Sequence, residues 1–253
     1  MQYKDFSDET WSFITRQIDD AVKAPGPHYA AFDADGTLWD NDAGNAFFDY
    51  EIDNQLVPLP PEPWKHVYAV KEQDPKKAFL WLAQIHKGVP ITTVRQWAQD
   101  SLSNRNGIPC FPAIKKLIEY LRSKNVQVFV VTASVKWAVE PCVAQLNIPF
   151  ENVLGIQTKI IDGVCSDIQE GHITYREGKA HAILEKTNNI RPILACGNTM
   201  GDYWLLDIAT HVQLAVRTES HDVAFKDKNI LNQEKALYHE AIQRKWLTHN
   251  FLG

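Results

Sequence analysis

Short apolar runs that alternate with amphipathic stretches restrict a chain to few architectures, and residues 110–216 alternate in this way throughout. Val126 to Val131 is apolar and β-branched apart from Gln127 and Phe129, as expected for a strand buried on both faces. Before it, Ala113 to Ser123 places Ile114, Leu117, Ile118 and Leu121 on one helical stripe. After it, Ser134 to Leu146 reads as a helix that Pro141 should kink or interrupt. Val153 to Ile156 begins a strand, and Asp162-Gly163 and Glu170-Gly171 mark turns of a hairpin within Lys159 to Tyr175. Lys179 to Lys186 is helical, Ile193 to Cys196 a strand, Met200 to Ala209 helical, and Val212 to Val216 the final core strand. This order predicts an α/β fold, a parallel sheet with helices on both faces.

The N-terminal part adds one helix and one strand. Residues 7–24 are amphipathic, with Ser7 as N-cap, Asp8 and Glu9 in the first turn, and Trp11, Ile14 and Ile18 on one face. Pro25-Gly26-Pro27 ends that helix, and Tyr29 to Phe32 forms a strand that runs into Asp33-Ala34-Asp35-Gly36-Thr37. Residues 40–107 then break the alternation. They are rich in Trp, Lys, Gln and Asp, have apolar positions at helical spacing, and carry Pro58, Pro60, Pro61 and Pro63 as a break. This segment reads as a small helical insertion.

Composition excludes several classes. The net charge is −5 with no dense Lys/Arg block, which argues against a nucleic-acid partner. No apolar stretch approaches the ~20 residues of a membrane span. The start of the sequence is polar and without an apolar signal core, and the four cysteines are scattered, so a cytoplasmic location with reduced thiols is expected. Nothing in the sequence indicates the oligomeric state.

In an open α/β sheet, chemistry gathers beyond the carboxyl ends of the strands. The first strand delivers Asp33 and Asp35, a spacing that lets one carboxylate attack while the other moves a proton, with Gly36 allowing a sharp exit. Two aspartates in such a loop are, taken alone, usually solvated turn residues. The second strand ends at Thr132-Ala133-Ser134, where the hydroxyls either cap the next helix or hold an anion with its free amides. Lys179 starts a helix, an unfavourable place for a cation unless it is used, though a solvated surface lysine is the plainer reading. Gly197-Asn198-Thr199-Met200-Gly201-Asp202 follows the next strand and is either a simple turn or an acidic site loop.

Together and in this order, the four pieces resemble the haloacid dehalogenase (HAD) superfamily of phosphotransferases. The resemblance covers residues 28–37 and 110–220, and the helical insertion after the first motif is similar to the cap of the phosphoserine-phosphatase-like branch. It implies a Rossmann-like core at 1–39 and 108–253, a helical cap domain at 40–107, and a magnesium-dependent phosphatase acting on a small phosphorylated metabolite. It further implies Asp33 as a nucleophile that becomes an aspartyl-phosphate, and Asp35 as the acid and base. Thr132, with Ala133 and Ser134, would hold phosphoryl oxygens, and Lys179 would screen Asp33 from the phosphate. Magnesium (Mg2+) would lie between Asp33, the main-chain carbonyl of Asp35, Asn198 and Asp202.

Asn198 departs from the pattern, since the branch commonly has an aspartate there. An amide oxygen ligates a hard cation without formal charge, so the ion is bound more weakly or Asp202 approaches to compensate. The departure also leaves open a non-catalytic relative that binds a phosphorylated ligand without turnover. Substrate choice is expected in the insertion. Asp42, nine residues after Asp33, is similar in spacing to the acidic residue that meets the amino group in phosphoserine phosphatases. It is equally a residue of a solvated acidic face. Trp39, Trp64, Trp81 and Trp97 are either packing residues or an aromatic site for a cationic head group, and Arg95 or Arg105 can pair with a substrate carboxylate.

Overall fold

The structure is a computed structural model, and it describes residues 3–103, 108–218 and 228–252. Its centre is β1 (His28–Phe32), which pairs in parallel with β2 (Val126–Val135) on one side and β5 (Leu194–Gly197) on the other. β3 (Val153–Ile161) extends the sheet beyond β2, and β4 (Val164–Glu170) closes that edge as the antiparallel arm of a hairpin. On the other side come β6 (Val212–Arg217) and β7 (Leu247–Asn250), giving the order β4-β3-β2-β1-β5-β6-β7. The order reverses at β1, so a crevice opens beyond its carboxyl end, directly where Asp33 follows.

Strand periodicity divides the core into two layers. Ala30, Phe32, Val128, Val130, Leu194 and Cys196 face one side and pack with α1 (Asp8–Ala21), α6 (Pro112–Ser123) and α7 (Lys136–Ala144). Ala31, Phe129, Val131 and Ala195 face the other and pack with α8 (Glu177–Lys186), α9 (Tyr203–Asp207) and α10 (Lys228–Arg244). Ser7 caps α1 as expected, accepting from Thr10 N at 3.1 Å. The hairpin turn at Asp162-Gly163 has positive φ at both residues, 51° and 80°, which suits the twist of the two strands.

Residues 40–103 supply α2 (Ala43–Asp53), α3 (Pro63–Gln73), α4 (Pro75–Gln84) and α5 (Ile91–Ser103). Proline opens both α3 and α4, where its missing N–H costs nothing. These helices share a core with the main body: Phe47, Ala83, Val94 and Ala98 meet Val135, Trp137, Ala138 and Ile156. Main-chain bonds join Ile91 N to Gly163 O and Cys165 N to Val89 O, each at 2.9 Å.

Three expectations need correction. β2 does not stop near Val131 but runs to Val135, whose β-branched side chain is buried and whose backbone pairs with Ile156. α7 therefore begins at Lys136, with Val135 as an N-cap that makes no side-chain bond, and Thr132 and Ser134 cap nothing. β6 is not the final strand, because α10 and β7 follow it. β7 is a four-residue edge strand, half-buried at every position, without the apolar run that identifies a central strand.

Candidate active site

A cavity of about 1030 Å3 lies beyond the carboxyl ends of β1, β2 and β5, under the helices of the insertion. Asp33, Asp35, Thr132, Ala133, Ser134, Lys179 and Asn198 line its floor, and Asp42 lines its wall. Asp33 leaves β1 with its N–H still donating to Cys196 O at 2.9 Å, so the sheet fixes its backbone. The residue is 6% exposed; Oδ1 accepts from Lys179 Nζ at 2.5 Å and Oδ2 from Thr37 Oγ1 at 3.1 Å. Burial and then the charge of Asp202 push the Asp33 carboxyl up, Lys179 opposes them, and the result is about 7.

Asp35 points elsewhere. Its Oδ1 accepts from the Trp39 indole at 2.8 Å and from Ala43 N at 2.7 Å, and its Oδ2 accepts from Ser134 Oγ at 2.7 Å. Burial and the nearby charge of Asp42 raise it to about 7 against those three donors. The loop after Asp35 is closed by Gly36 N donating to Trp39 O at 2.9 Å. Gly36 has φ 77°, and a Cβ there would fall 2.1 Å from Asn198 Nδ2, so no other residue fits.

Lys179 is 4% exposed, so the solvated-lysine reading does not hold. It reaches the site because Gly178 lets the start of α8 close on the preceding loop; a Cβ at Gly178 would lie 1.9 Å from Ile173 O. Its ammonium also donates to Asp202 Oδ1. Burial alone pulls the ammonium pKa down, but Asp202 and then Asp33 outweigh it and hold the lysine charged. Thr132, at the end of the sheet, is buried, and its Oγ1 accepts from Ser134 N at 3.0 Å. Arg176, two residues before Gly178, has φ 52° and ψ −123°, a costly backbone for a non-glycine residue, and lines the cavity.

The acidic loop after β5 folds on itself. Asp202 Oδ2 accepts from Asn198 N (3.1 Å), Thr199 N (2.9 Å) and Thr199 Oγ1 (3.1 Å), so both its oxygens are engaged by the chain. Asn198 Oδ1 and Asp33 Oδ2 converge on one hydroxyl, that of Thr37, at 3.4 and 3.1 Å. Among the described residues no three His, Cys, Asp or Glu side chains form a metal cage. The donors that converge are instead mixed oxygens: the Asp33 carboxylate and the Asn198 amide. That set fits magnesium, which keeps several waters and takes few protein carboxylates.

Other candidates are placed differently. Asp42 Oδ1 accepts from Asn45 N at 2.7 Å and caps α2. Burial raises its carboxyl, while the Asn45 amide and the Lys71 charge lower it. Arg95 does not face the cavity; it makes a two-pronged pair with Glu140 at 2.6 and 3.0 Å, joining α5 to α7. Arg105 lies outside the described residues. Trp64 stacks on Tyr68 and meets Phe48 edge-on, and all three line the cavity. Cys196 is buried, with its thiol pushed far up by burial, Asp33 and Asp202, so it is not a nucleophile. No helix among the described residues is long and apolar enough to cross a membrane. The sequence reading did not find Glu234 as part of the site, and it foresaw neither the Trp39 bond to Asp35 nor the Thr37 bond to Asp33.

A mainly parallel sheet whose strand order reverses at a strand ending in paired aspartates, one of them bound to a buried lysine, is the arrangement the resemblance to the HAD superfamily implies. The model of the haloacid dehalogenase-like hydrolases matches residues 30–207, and the chain belongs to that family. Comparison with curated proteins finds no match. Among solved structures, a protein with unknown function from Bordetella pertussis Tohama I is similar with TM-score 0.67 and 16% identity, covering 90% of this chain and 100% of that one. A conserved functionally unknown protein from Anaerococcus prevotii DSM 20548 has TM-score 0.66 and 14% identity, over 94% and 91%. A substrate-bound phosphoserine phosphatase has TM-score 0.50 and 15% identity, over 76% and 87%. These likenesses are of fold.

Proposed function

We propose that the protein is a magnesium-dependent phosphomonoesterase that hydrolyses a small phosphorylated metabolite through an aspartyl-phosphate on Asp33. The observation that carries this reading is the buried lysine bridge between Asp33 and Asp202 beside a second aspartate held by different donors. Two carboxylates in one cavity with separate partners have separate work to do.

Asp33 attacks phosphorus, and the ester oxygen leaves with its bonding electrons and a proton from Asp35. Asp35 then takes a proton from the water that attacks the aspartyl-phosphate, releasing inorganic phosphate and restoring the Asp33 carboxylate. Trp39, Ala43 and Ser134 hold Asp35 away from Asp33, so the two carboxyls do not share a proton. Lys179 favours the ionised form of Asp33 against burial and the charge of Asp202, and offsets the repulsion of an incoming anion. Thr132 and the amide of Ala133 bind phosphoryl oxygens, and Ser134, whose N–H donates to Thr132 Oγ1, orients that hydroxyl. Asp33, the main-chain carbonyl of Asp35, Asn198 and Asp202 would hold magnesium, which would supply the positive charge that phosphoryl transfer requires.

Residues 40–107 act as the cap domain that covers the cavity and excludes water. The aromatic wall of Phe48, Trp64 and Tyr68, with Asp42 below it, supports an amine-bearing substrate such as phosphoserine or phosphocholine. Lys71, whose charge reaches Asp42, takes up part of its attraction for such a cation. A panel of phosphate monoesters assayed with magnesium and with EDTA tests the proposal. Turnover that requires the metal and favours aminated esters is expected; turnover indifferent to EDTA rejects the metal role.

A further inference from the structure

Two loops of the cavity floor meet at Asn198, and a third element decides which way that residue faces. Glu234 lies on α10, 3% exposed, and its Oε1 accepts from Asn198 Nδ2 at 3.0 Å. A carboxylate only accepts hydrogen bonds, and the two ends of an amide differ, so this contact fixes the orientation. With Nδ2 turned to Glu234, Asn198 Oδ1 is left toward Thr37 Oγ1, the hydroxyl that also donates to Asp33 Oδ2. Gly36 closes the remaining space: a Cβ there would lie 2.1 Å from Asn198 Nδ2 and 3.6 Å from Glu234 Oε1. Glu234 also shares the inward side of α10 with Leu237 and Ala241.

We propose that Glu234 is a positioning residue of the cation site. It holds the uncharged Asn198 with its carbonyl oxygen toward the ion, and it provides, one hydrogen bond further out, the negative charge that an aspartate at position 198 would carry itself. The Asn198–Glu234 pair thus has the charge of an aspartate with a neutral partner. This rests on the magnesium reading above and adds a residue from the C-terminal helix to it. Groups behind metal ligands act in this way by orienting the ligand and raising its basicity.

The test is magnesium binding without substrate, followed by calorimetric titration and by the metal-induced rise in melting temperature. Glu234→Ala should weaken magnesium roughly 10- to 100-fold, the range for loss of a partner behind a metal ligand. Glu234→Gln, which can still accept from Asn198 but carries no charge, should fall between that variant and the wild type. Asn198→Asp alone should not tighten binding, because it sets two carboxylates within hydrogen-bond distance. Asn198→Asp combined with Glu234→Gln reverses the bond, keeps the charge, and should recover most of the affinity lost in either single variant. That recovery is a signature a merely structural glutamate would not give, and it is read even if Glu234→Ala fails to fold. Wild-type affinity in Glu234→Gln, or a double variant no better than the singles, overturns the proposal. A wild-type protein that does not bind magnesium overturns the metal reading and this proposal with it.

Discussion

Lys179 Nζ donates to Asp33 Oδ1 at 2.5 Å across 146 residues of sequence, and the same ammonium holds Asp202. One buried cation thus joins the loops after β1 and β5 at the reversal point of the sheet. Removing it leaves two buried carboxylates facing each other. Breaking a buried pair from one side costs about 3–5 kcal/mol. Lys179→Met should therefore lower the melting temperature and abolish turnover, while Lys179→Arg should keep more of the stability than of the activity. Thermal denaturation and steady-state kinetics of both variants check this. A stable Lys179→Met protein would show that the bridge does not hold the floor together.

Asp35 makes a different demand. If it protonates the leaving oxygen, Asp35→Asn should slow phosphoryl transfer to Asp33, followed in a single turnover, far more for alkyl phosphates than for p-nitrophenyl phosphate, whose leaving group needs no proton. A general acid contributes about 10²–10⁴-fold in rate. Equal losses on both substrates would assign Asp35 to structure, through its bonds to Trp39, Ala43 and Ser134.

Asp42 has two readings that one variant separates. As the N-cap of α2 it should cost about 1 kcal/mol of stability in Asp42→Ala. As a contact for a substrate cation it should, in addition, impair an aminated phosphate ester much more than p-nitrophenyl phosphate. Kinetics on the two esters, compared with the melting temperature, decide the matter. A stability loss with no change in preference leaves only the cap.

The sequence made the arrangement of Asp33, Asp35, Thr132 and Lys179 legible because each follows or precedes a strongly patterned element. Strand ends in a parallel sheet converge by geometry alone. The extent of β2 was not legible, since Thr132 to Val135 is polar enough to suggest a helix start and is held extended by pairing with β3. The Trp39 bond to Asp35 was invisible because it depends on how the loop turns at Gly36. Glu234 was missed because the alternation seemed complete at Val216. Its signal is a glutamate in step with Leu237 and Ala241 on one stripe of α10.

A buried pair within the insertion gives a pH prediction. Glu51 on α2 is 1% exposed and contacts His86 Nε2. Burial raises its carboxyl above the usual value against the opposing pull of His86. A raised carboxyl is favoured protonated in the fold, so Glu51 subtracts stability as pH rises from its unfolded value toward its folded one. Glu51→Gln does not titrate, so its stability relative to wild type should improve with pH across that window, by at most about 1.4 kcal/mol per unit. Urea denaturation at several pH values measures it; a constant difference would show that Glu51 is equally ionised in both states.

The central claim is covalent chemistry at Asp33. The most direct measurement is a rapid acid quench of the enzyme turning over a phosphate monoester with magnesium, followed by mass analysis of the peptide that carries Asp33. The account predicts a transient gain of one phosphoryl group on Asp33, absent in Asp33→Asn, which should fold and bind substrate but not turn over. Full turnover by Asp33→Asn, or phosphorylation of another residue with Asp33 unmodified, would contradict it.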